Sequence, residues 1–417
     1  MPSKRQFLKS MALSAMAPFA LKDITVFDES IFPAGESNED FWKQIRKDYL
    51  LKPNYINLEN GYYCMASQPV LEGYIKEIRS KNLEASYYLR TEQFNDRDKV
   101  RKRLADLFGC KLEELIITRN TTESLDTIIS GINWKTGDEA LMAEQDYGSM
   151  LDMFKQQARR FGIVNKVVSI PNNPQSDEEL VALYASAITP KTKLMMICHM
   201  INITGQILPV KKICEMAHSK GVEVLVDGAH AIAHLDFRID ELGCDYYGSS
   251  LHKWLGSPLG AGILYVNKNK IKSVWPLFGE SNFADDDILK LNHTGTVPVA
   301  TNMAIHHAID YHEKIGIKRK NERLRYLQNY WVNKVKGIER IILNTPEDIN
   351  RSCAIANVGI DGIPPSKLAK ILLEKYKIWT VAIDYANVHG VRVTPHLFTT
   401  SEELDQLVAA LIELSEA

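Results

Sequence analysis

The chain has 417 residues, 45% of them hydrophobic and 24% charged, with a formal net charge of -2; that is enough apolar material for a large core in two domains or three. The balanced charge, without any long Lys/Arg block, gives no polyanion-binding surface and argues against a nucleic-acid partner. No segment offers about 18 consecutive apolar residues, so no membrane-spanning helix is expected.

At the N-terminus, Ser3-Lys4-Arg5-Gln6-Phe7-Leu8-Lys9 precedes a weakly apolar, small-residue-rich stretch from Met11 to Leu21. A basic segment followed by a short apolar one is an export-signal pattern. It resembles a twin-arginine signal, with Lys4 where the first arginine is expected, and implies a periplasmic or exported protein. The alternative is an N-terminal arm of a cytoplasmic protein. Residues 22–40 are polar and turn-rich and read as a linker.

From about residue 100 onward, short apolar runs alternate with amphipathic stretches. Leu115 to Thr118, Ala140 to Ala143, Lys166 to Ile170, Leu194 to Cys198, Val222 to Val226 and Gly262 to Val266 read as strands. Helices are expected from Thr121 and from Tyr147 to Phe161. Nearly continuous apolar strands alternating with helices imply a mainly parallel α/β sheet covered on both faces. Beyond about residue 300, long amphipathic helices over 299–336 lead into a smaller α+β region. The expected division is a signal-like segment and linker over 1–40, a large domain over 66–298, and a small domain from 41–65 plus 299–417. The six cysteines (Cys64, Cys110, Cys198, Cys214, Cys244 and Cys353) are scattered without a C-x-x-C pair or zinc spacing and read as core thiols.

Ligands of such sheets gather at the carboxyl ends of the strands. Val224-Leu225-Val226-Asp227-Gly228-Ala229-His230 is an apolar strand that stops at an acid, and Lys253 follows Asp227 by 26 residues in Tyr247-Gly248-Ser249-Ser250-Leu251-His252-Lys253-Trp254. A buried acid is costly unless paired; alone it could cap a turn. The neighbours of Lys253 do not form a solvated charged face. A lysine can form an imine with an aldehyde cofactor. An Asp at a pyridine nitrogen keeps that ring protonated and able to accept electrons from a substrate α-carbon. No G-x-G-x-x-G follows Ile117 or Leu141, which argues against a nicotinamide-binding protein. His230, His234 and His252 lack a carboxylate or thiolate cluster at zinc-ligand spacing.

On Asp227-x-x-His230 and Ser250-x-His252-Lys253, the sequence resembles the class V aminotransferase family of fold-type I pyridoxal-phosphate (PLP) enzymes over roughly residues 50 to 410. It is most similar to the isopenicillin-N-epimerase-like branch. The resemblance implies a fold-type I transferase architecture, a large domain with a mainly parallel seven-stranded sheet plus a smaller α+β C-terminal domain. It implies PLP held by Lys253 as a Schiff base, with Asp227 at the pyridine nitrogen and His230 beside the phenolic oxygen. Ser250 and His252 match phosphate ligands. Thr121 and Thr122, in Thr118-Arg119-Asn120-Thr121-Thr122-Glu123, match the helix N-terminus that holds the phosphate, with Asn120 where the family usually has Gly. Asn202 matches an asparagine that contacts the phenolic oxygen. Thr296, in Asn292-His293-Thr294-Gly295-Thr296, matches a residue that reaches a neighbouring subunit's phosphate, so a homodimer with a shared site is implied. Arg392 matches the arginine that binds a substrate α-carboxylate. Tyr147 stacks on the ring or only opens the following helix.

Cysteine desulfurases need a mobile cysteine shortly before that arginine, and the stretch from Lys377 to Val391 has none. The expected function is therefore a PLP-dependent aminotransferase or epimerase acting at Cα of an amino-acid-like substrate. A PLP-dependent lyase (C-S lyase or kynureninase-like) is the alternative. A PLP-fold sensor would predict a degraded site or an attached DNA-binding domain, and neither is present.

Overall fold

Seven short strands make the central sheet of the computed structural model, which describes residues 39–417. The signal-like segment lies outside the described residues. The described chain opens with α1 (Glu39–Arg46), a two-residue strand β1 (Ile56–Asn57), and helices α2 (Gln68–Arg90) and α3 (Gln93–Phe108). Strands and helices then alternate as β2 (Leu115–Thr118), α4 (Thr121–Gly131), β3 (Glu139–Ala143), α5 (Gly148–Phe161), β4 (Val164–Val168), α6 (Asp177–Ala187), β5 (Thr192–Cys198), α7 (Val210–Ser219) and β6 (Glu223–Asp227). Two strands without an intervening α-helix, β7 (Tyr246–Ser250) and β8 (Gly262–Val266), complete the sheet.

The strand order is β2-β8-β7-β6-β5-β3-β4. Strand β8 runs antiparallel to both its neighbours, and the remaining pairs are parallel. This is the expected mainly parallel, seven-stranded α/β sheet. The reason is visible in the sequence: β2, β3, β7 and β8 are buried along their whole length, as a sheet covered on both faces requires. One core joins Leu125, Ile128 and Phe154 of the covering helices to Met142, Met196, Leu225 and Leu264 of the strands.

Two strands depart from the sequence reading. Strand β4 lies two residues earlier than Lys166 to Ile170. It is the sheet's edge and half-exposed, so its apolar run is a weaker guide. Its end is fixed by Gln145, whose side chain accepts from the Ile170 amide at 3.0 Å and donates to the Ile170 carbonyl at 3.1 Å. Strand β7 carries two serines where an apolar run would mark a buried strand. Both hydroxyls are paired, Ser249 to the Gly228 carbonyl at 2.9 Å and Ser250 to Thr121, which is what makes their burial tolerable.

Past the sheet come α8 (Val299–Ile315) and α9 (Ile317–Val335), parted at Gly316, whose φ of 82° interrupts the long helical stretch. They are followed by β9 (Ile341–Leu343), β10 (Ala356–Ile360), α10 (Pro365–Tyr376), β11 (Ile378–Trp379), β12 (Val381–Tyr385), β13 (Val388–Val393) and α11 (Ser401–Glu416). Strands β12-β13-β10-β9 form an antiparallel sheet. A second core collects Leu327, Trp331, Val358, Leu368, Val391 and Leu411, and Leu58 from the first segment joins it. That return of residues 56–61 onto β11 and β13 places Glu59 beside Thr394. Among the described residues, no helix is long and apolar enough to cross a membrane.

Candidate active site

The strand ends converge as a parallel sheet dictates. A cleft of about 390 Å³ opens over the carboxyl ends of β2, β3, β5, β6 and β7. Thr121, Thr122, Tyr147, Asn202, Asp227, His230, Ser250, His252, Lys253 and Arg392 all border it. Thr296 does not. It borders a separate surface cavity of about 920 Å³ with Arg90, Arg97 and His293.

Asp227 is the last residue of β6 and is 5% exposed. Its Oδ1 accepts from the Ala229 amide at 2.9 Å. Burial raises its carboxyl above the usual range, while the Ala229 amide and the nearby Lys253 act against that rise. Lys253 follows β7 directly, and its Nζ lies 3.0 Å from His230 Nε2. Burial pushes the lysine down to about 8, with Asp227 opposing and Arg392 reinforcing the shift. The other ring nitrogen of His230, Nδ1, accepts from the indole N–H of Trp254 at 3.2 Å. Burial, followed by Lys253 and Arg392, holds this imidazole well below its ordinary value.

The N-terminus of α4 is pinned to the end of β7. The Thr121 amide donates to Ser250 Oγ at 2.8 Å, and the two hydroxyls are 2.7 Å apart. Asn120 caps the helix, its Oδ1 accepting from the Glu123 amide at 2.9 Å. Its φ of -173° is extended backbone that any residue adopts, so asparagine costs no strain here. A helix N-terminus flanked by hydroxyls suits an anion. Among the described residues, two buried polar atoms on the cleft, Asn202 Oδ1 and His252 Nδ1, meet no donor or acceptor at hydrogen-bond distance and geometry. Unpaired buried polar groups are costly, so both call for a polar ligand. An aldehyde-reactive amine, a carboxylate at the sheet's centre, an anion-binding helix terminus and two orphaned polar atoms together fit a phosphorylated pyridine aldehyde.

Three residues that sequence reading passed over shape this site. Glu59 binds Arg392 side-on, with Nη2 at 2.6 Å from Oε1 and Nε at 3.2 Å from Oε2. Nothing local in Asn57-Leu58-Glu59-Asn60-Gly61 points to a partner 333 residues away. Cys198 borders the cleft, and its thiol donates to Asp146 Oδ1 at 3.2 Å. Asp146 is fully buried, accepts from the Ala143 amide at 2.8 Å, and is pushed by burial up to about 7. The carboxylate thus anchors the turn that presents Tyr147. Tyr147 itself is the N-cap of α5 and 43% exposed at the cleft.

A mainly parallel sheet with an amine, a carboxylate and a helix N-terminus gathered at its strand ends defines a fold-type I PLP enzyme. The family model of class-V aminotransferases matches residues 65–407, and the chain belongs to that family. Pyridoxal 5′-phosphate is the cofactor of the family. Among relatives, the isopenicillin N epimerase of Amycolatopsis lactamdurans is 28% identical, over 90% of this chain and 99% of that protein. The isopenicillin N epimerase of Streptomyces clavuligerus is 26% identical over 90% and 98%. A probable cysteine desulfurase of Methanothermobacter thermautotrophicus is 24% identical over 89% and 98%. Among solved structures, the apo cysteine desulfurase of Thermococcus onnurineus NA1 superposes with a TM-score of 0.79 at 21% identity, over 92% of this chain and all of that one. A C-DES mutant with glycine covalently linked to its PLP cofactor gives a TM-score of 0.79 at 20% identity, over 87% and 97%.

Proposed function

We propose that this PLP enzyme acts at the α-carbon of an amino-acid-like substrate, as an aminotransferase or an epimerase. The observation that carries the reading is the gathering of Lys253, Asp227 and Arg392 on one cleft at the strand ends. When bound, the pyridoxal ring supplies a sink for the electron pair left at the α-carbon. The rest is the work of this chain's residues. Lys253 would hold the aldehyde, and its Nζ would take the α-proton of a bound substrate. Asp227 holds a proton at the pyridine nitrogen. His230 and Asn202 would meet the phenolic oxygen. Thr121, Thr122, Ser250 and His252 would hold the phosphate, and Tyr147, on the same cleft, would stack on the ring. Arg392 binds the substrate α-carboxylate through two parallel N–H groups.

A lyase is the second reading, favoured by the desulfurase relatives. Cys198, the cysteine that borders the cleft, is not suited to be a persulfide carrier for it. Cys198 is buried, hydrogen-bonded to Asp146, and raised by burial well above the ordinary thiol range, whereas a nucleophilic thiol needs an exposed, thiolate-favouring setting. Incubation with a panel of amino acids in D₂O separates the outcomes. Keto acid marks amino transfer, deuterated enantiomer marks epimerisation, and released ammonia or sulfide marks a lyase.

The same reading includes a homodimer in which Thr296 completes a neighbouring site. Its place on a separate cavity, outside its own chain's cleft, supports that role. Sedimentation at a monomer mass would contradict the dimer. Export through the twin-arginine-like segment is also proposed, and is tested by fractionation; full-length protein confined to the cytosol would count against it.

A further inference from the structure

Trp254 is clamped. It is 1% exposed, stacked on His234 with ring centroids 3.8 Å apart, and faces His396 at 5.9 Å. Its carbonyl accepts from the buried Lys320 ammonium. An indole N–H can only donate. His230 Nδ1, 3.2 Å from it, therefore presents a lone pair. That leaves a single place for the proton of a neutral imidazole, Nε2. Nε2 in turn lies 3.0 Å from Lys253 Nζ. Two N–H groups cannot face each other at that distance, so one of the pair must accept. Nε2 carries the proton, and the acceptor is Nζ.

We propose that Trp254 is a positioning residue that locks His230 in its Nε2–H tautomer, so that His230 donates to Lys253 and holds it as a free amine. The consequence for chemistry, which rests on the reading of Lys253 as the aldehyde-binding lysine, follows directly. A free amine attacks an aldehyde carbon; a C=N bond replaces the C=O, the oxygen leaves as water with the two hydrogens of Nζ, and no ammonium proton must first be stripped. The surrounding charges agree. Lys253 faces Asp227, Arg392, Cys64 and Glu59, and His230 faces Lys253, Arg392, His234 and His252. Burial disfavours the charged form of both.

The test uses the full-length, cofactor-free protein with ¹⁵N-labelled histidine, its His230 signals assigned by their loss in His230→Gln. The expected spectrum shows a neutral ring protonated on Nε2 from about pH 8.5 to about pH 10, where Lys253 is a free amine able to accept. A ring protonated on Nδ1, or an imidazolium in that range, would overturn the proposal. In Trp254→Phe the ring should sample both tautomers, and the pH midpoint of PLP uptake should rise by about one unit. An unchanged tautomer and midpoint would also overturn it. The His230→Gln background gives a second control, because an amide donates without a tautomer. There Trp254→Phe should leave the midpoint where it is, and an equal rise in both backgrounds would show that Trp254 acts through packing alone. Failure to take up PLP would sink the cofactor reading, while the nitrogen spectrum still decides the proton's place.

Discussion

The guanidinium of Arg392 is held before any substrate arrives by the carboxylate of Glu59, through contacts of 2.6 and 3.2 Å between side chains that are each under a tenth exposed. Its remaining terminal nitrogen, Nη1, donates to the Asn202 carbonyl at 3.1 Å. Gly61 backs the group so closely that a Cβ there would sit 2.8 Å from the Arg392 Cζ. The side-on edge is therefore taken, and in the proposed role of Arg392 a substrate carboxylate would meet the end-on edge of a preoriented cation.

Glu59→Ala leaves that cation buried with one carbonyl partner. Breaking a buried pair from one side costs about 3–5 kcal/mol. Denaturant unfolding should show a loss in that range, and a loss below about 1 kcal/mol would contradict the pairing. Glu59→Gln, which keeps an acceptor at Oε1, should lose less.

Arg392→Lys keeps the charge and removes the planar fork. We expect kcat/KM for amino acids to fall ~100-fold, equivalent to ~2.7 kcal/mol of transition-state stabilisation. Turnover of amines lacking an α-carboxylate should hardly change. An equal loss with both substrate types would place Arg392 elsewhere in the reaction.

The pH dependence of cofactor uptake follows from Lys253. Its protonated form is disfavoured by burial, and its value is pushed down to about 8. The reactive amine therefore gains population as pH rises toward that value and is fully present above it. Uptake by the cofactor-free chain should increase through about pH 8 and then level off. A rise continuing to about pH 10, as for an ordinary lysine, would contradict the shift.

Ser250→Ala removes the hydroxyl that ties the end of β7 to the N-terminus of α4 at 2.7 and 2.8 Å. Loss of one hydrogen-bonding group in a phosphate cradle weakens PLP binding by about tenfold or more, as charge-assisted bonds contribute ~1.5–3 kcal/mol. Pyridoxal without its phosphate should bind both proteins alike. Equal weakening of both ligands would remove Ser250 from the phosphate site.

How much of this was legible in the sequence follows from the range of the interactions. The central strands were readable because burial on both faces makes them apolar throughout, as in Leu194 to Cys198. Asp227, His230, Ser250, His252 and Lys253 were readable because each sits at or just after a strand end. Strand β7 was not, since its buried serines satisfy their hydroxyls through Gly228 and Thr121, partners that local pattern cannot supply. Glu59 was missed for the same reason at greater distance, its partner being brought beside it by the pairing of β1 with β11. Trp254 directly follows Lys253 in the sequence, but the donation of its N–H to His230 depends on how the loop after β7 turns back.

The central claim, that Lys253 carries the cofactor, is tested most directly by borohydride reduction of the purified yellow protein followed by peptide mapping. The account predicts a pyridoxyl group on Lys253 alone and a colourless, folded Lys253→Ala protein. Label on another lysine, or the same visible absorption in wild type and Lys253→Ala, would contradict it.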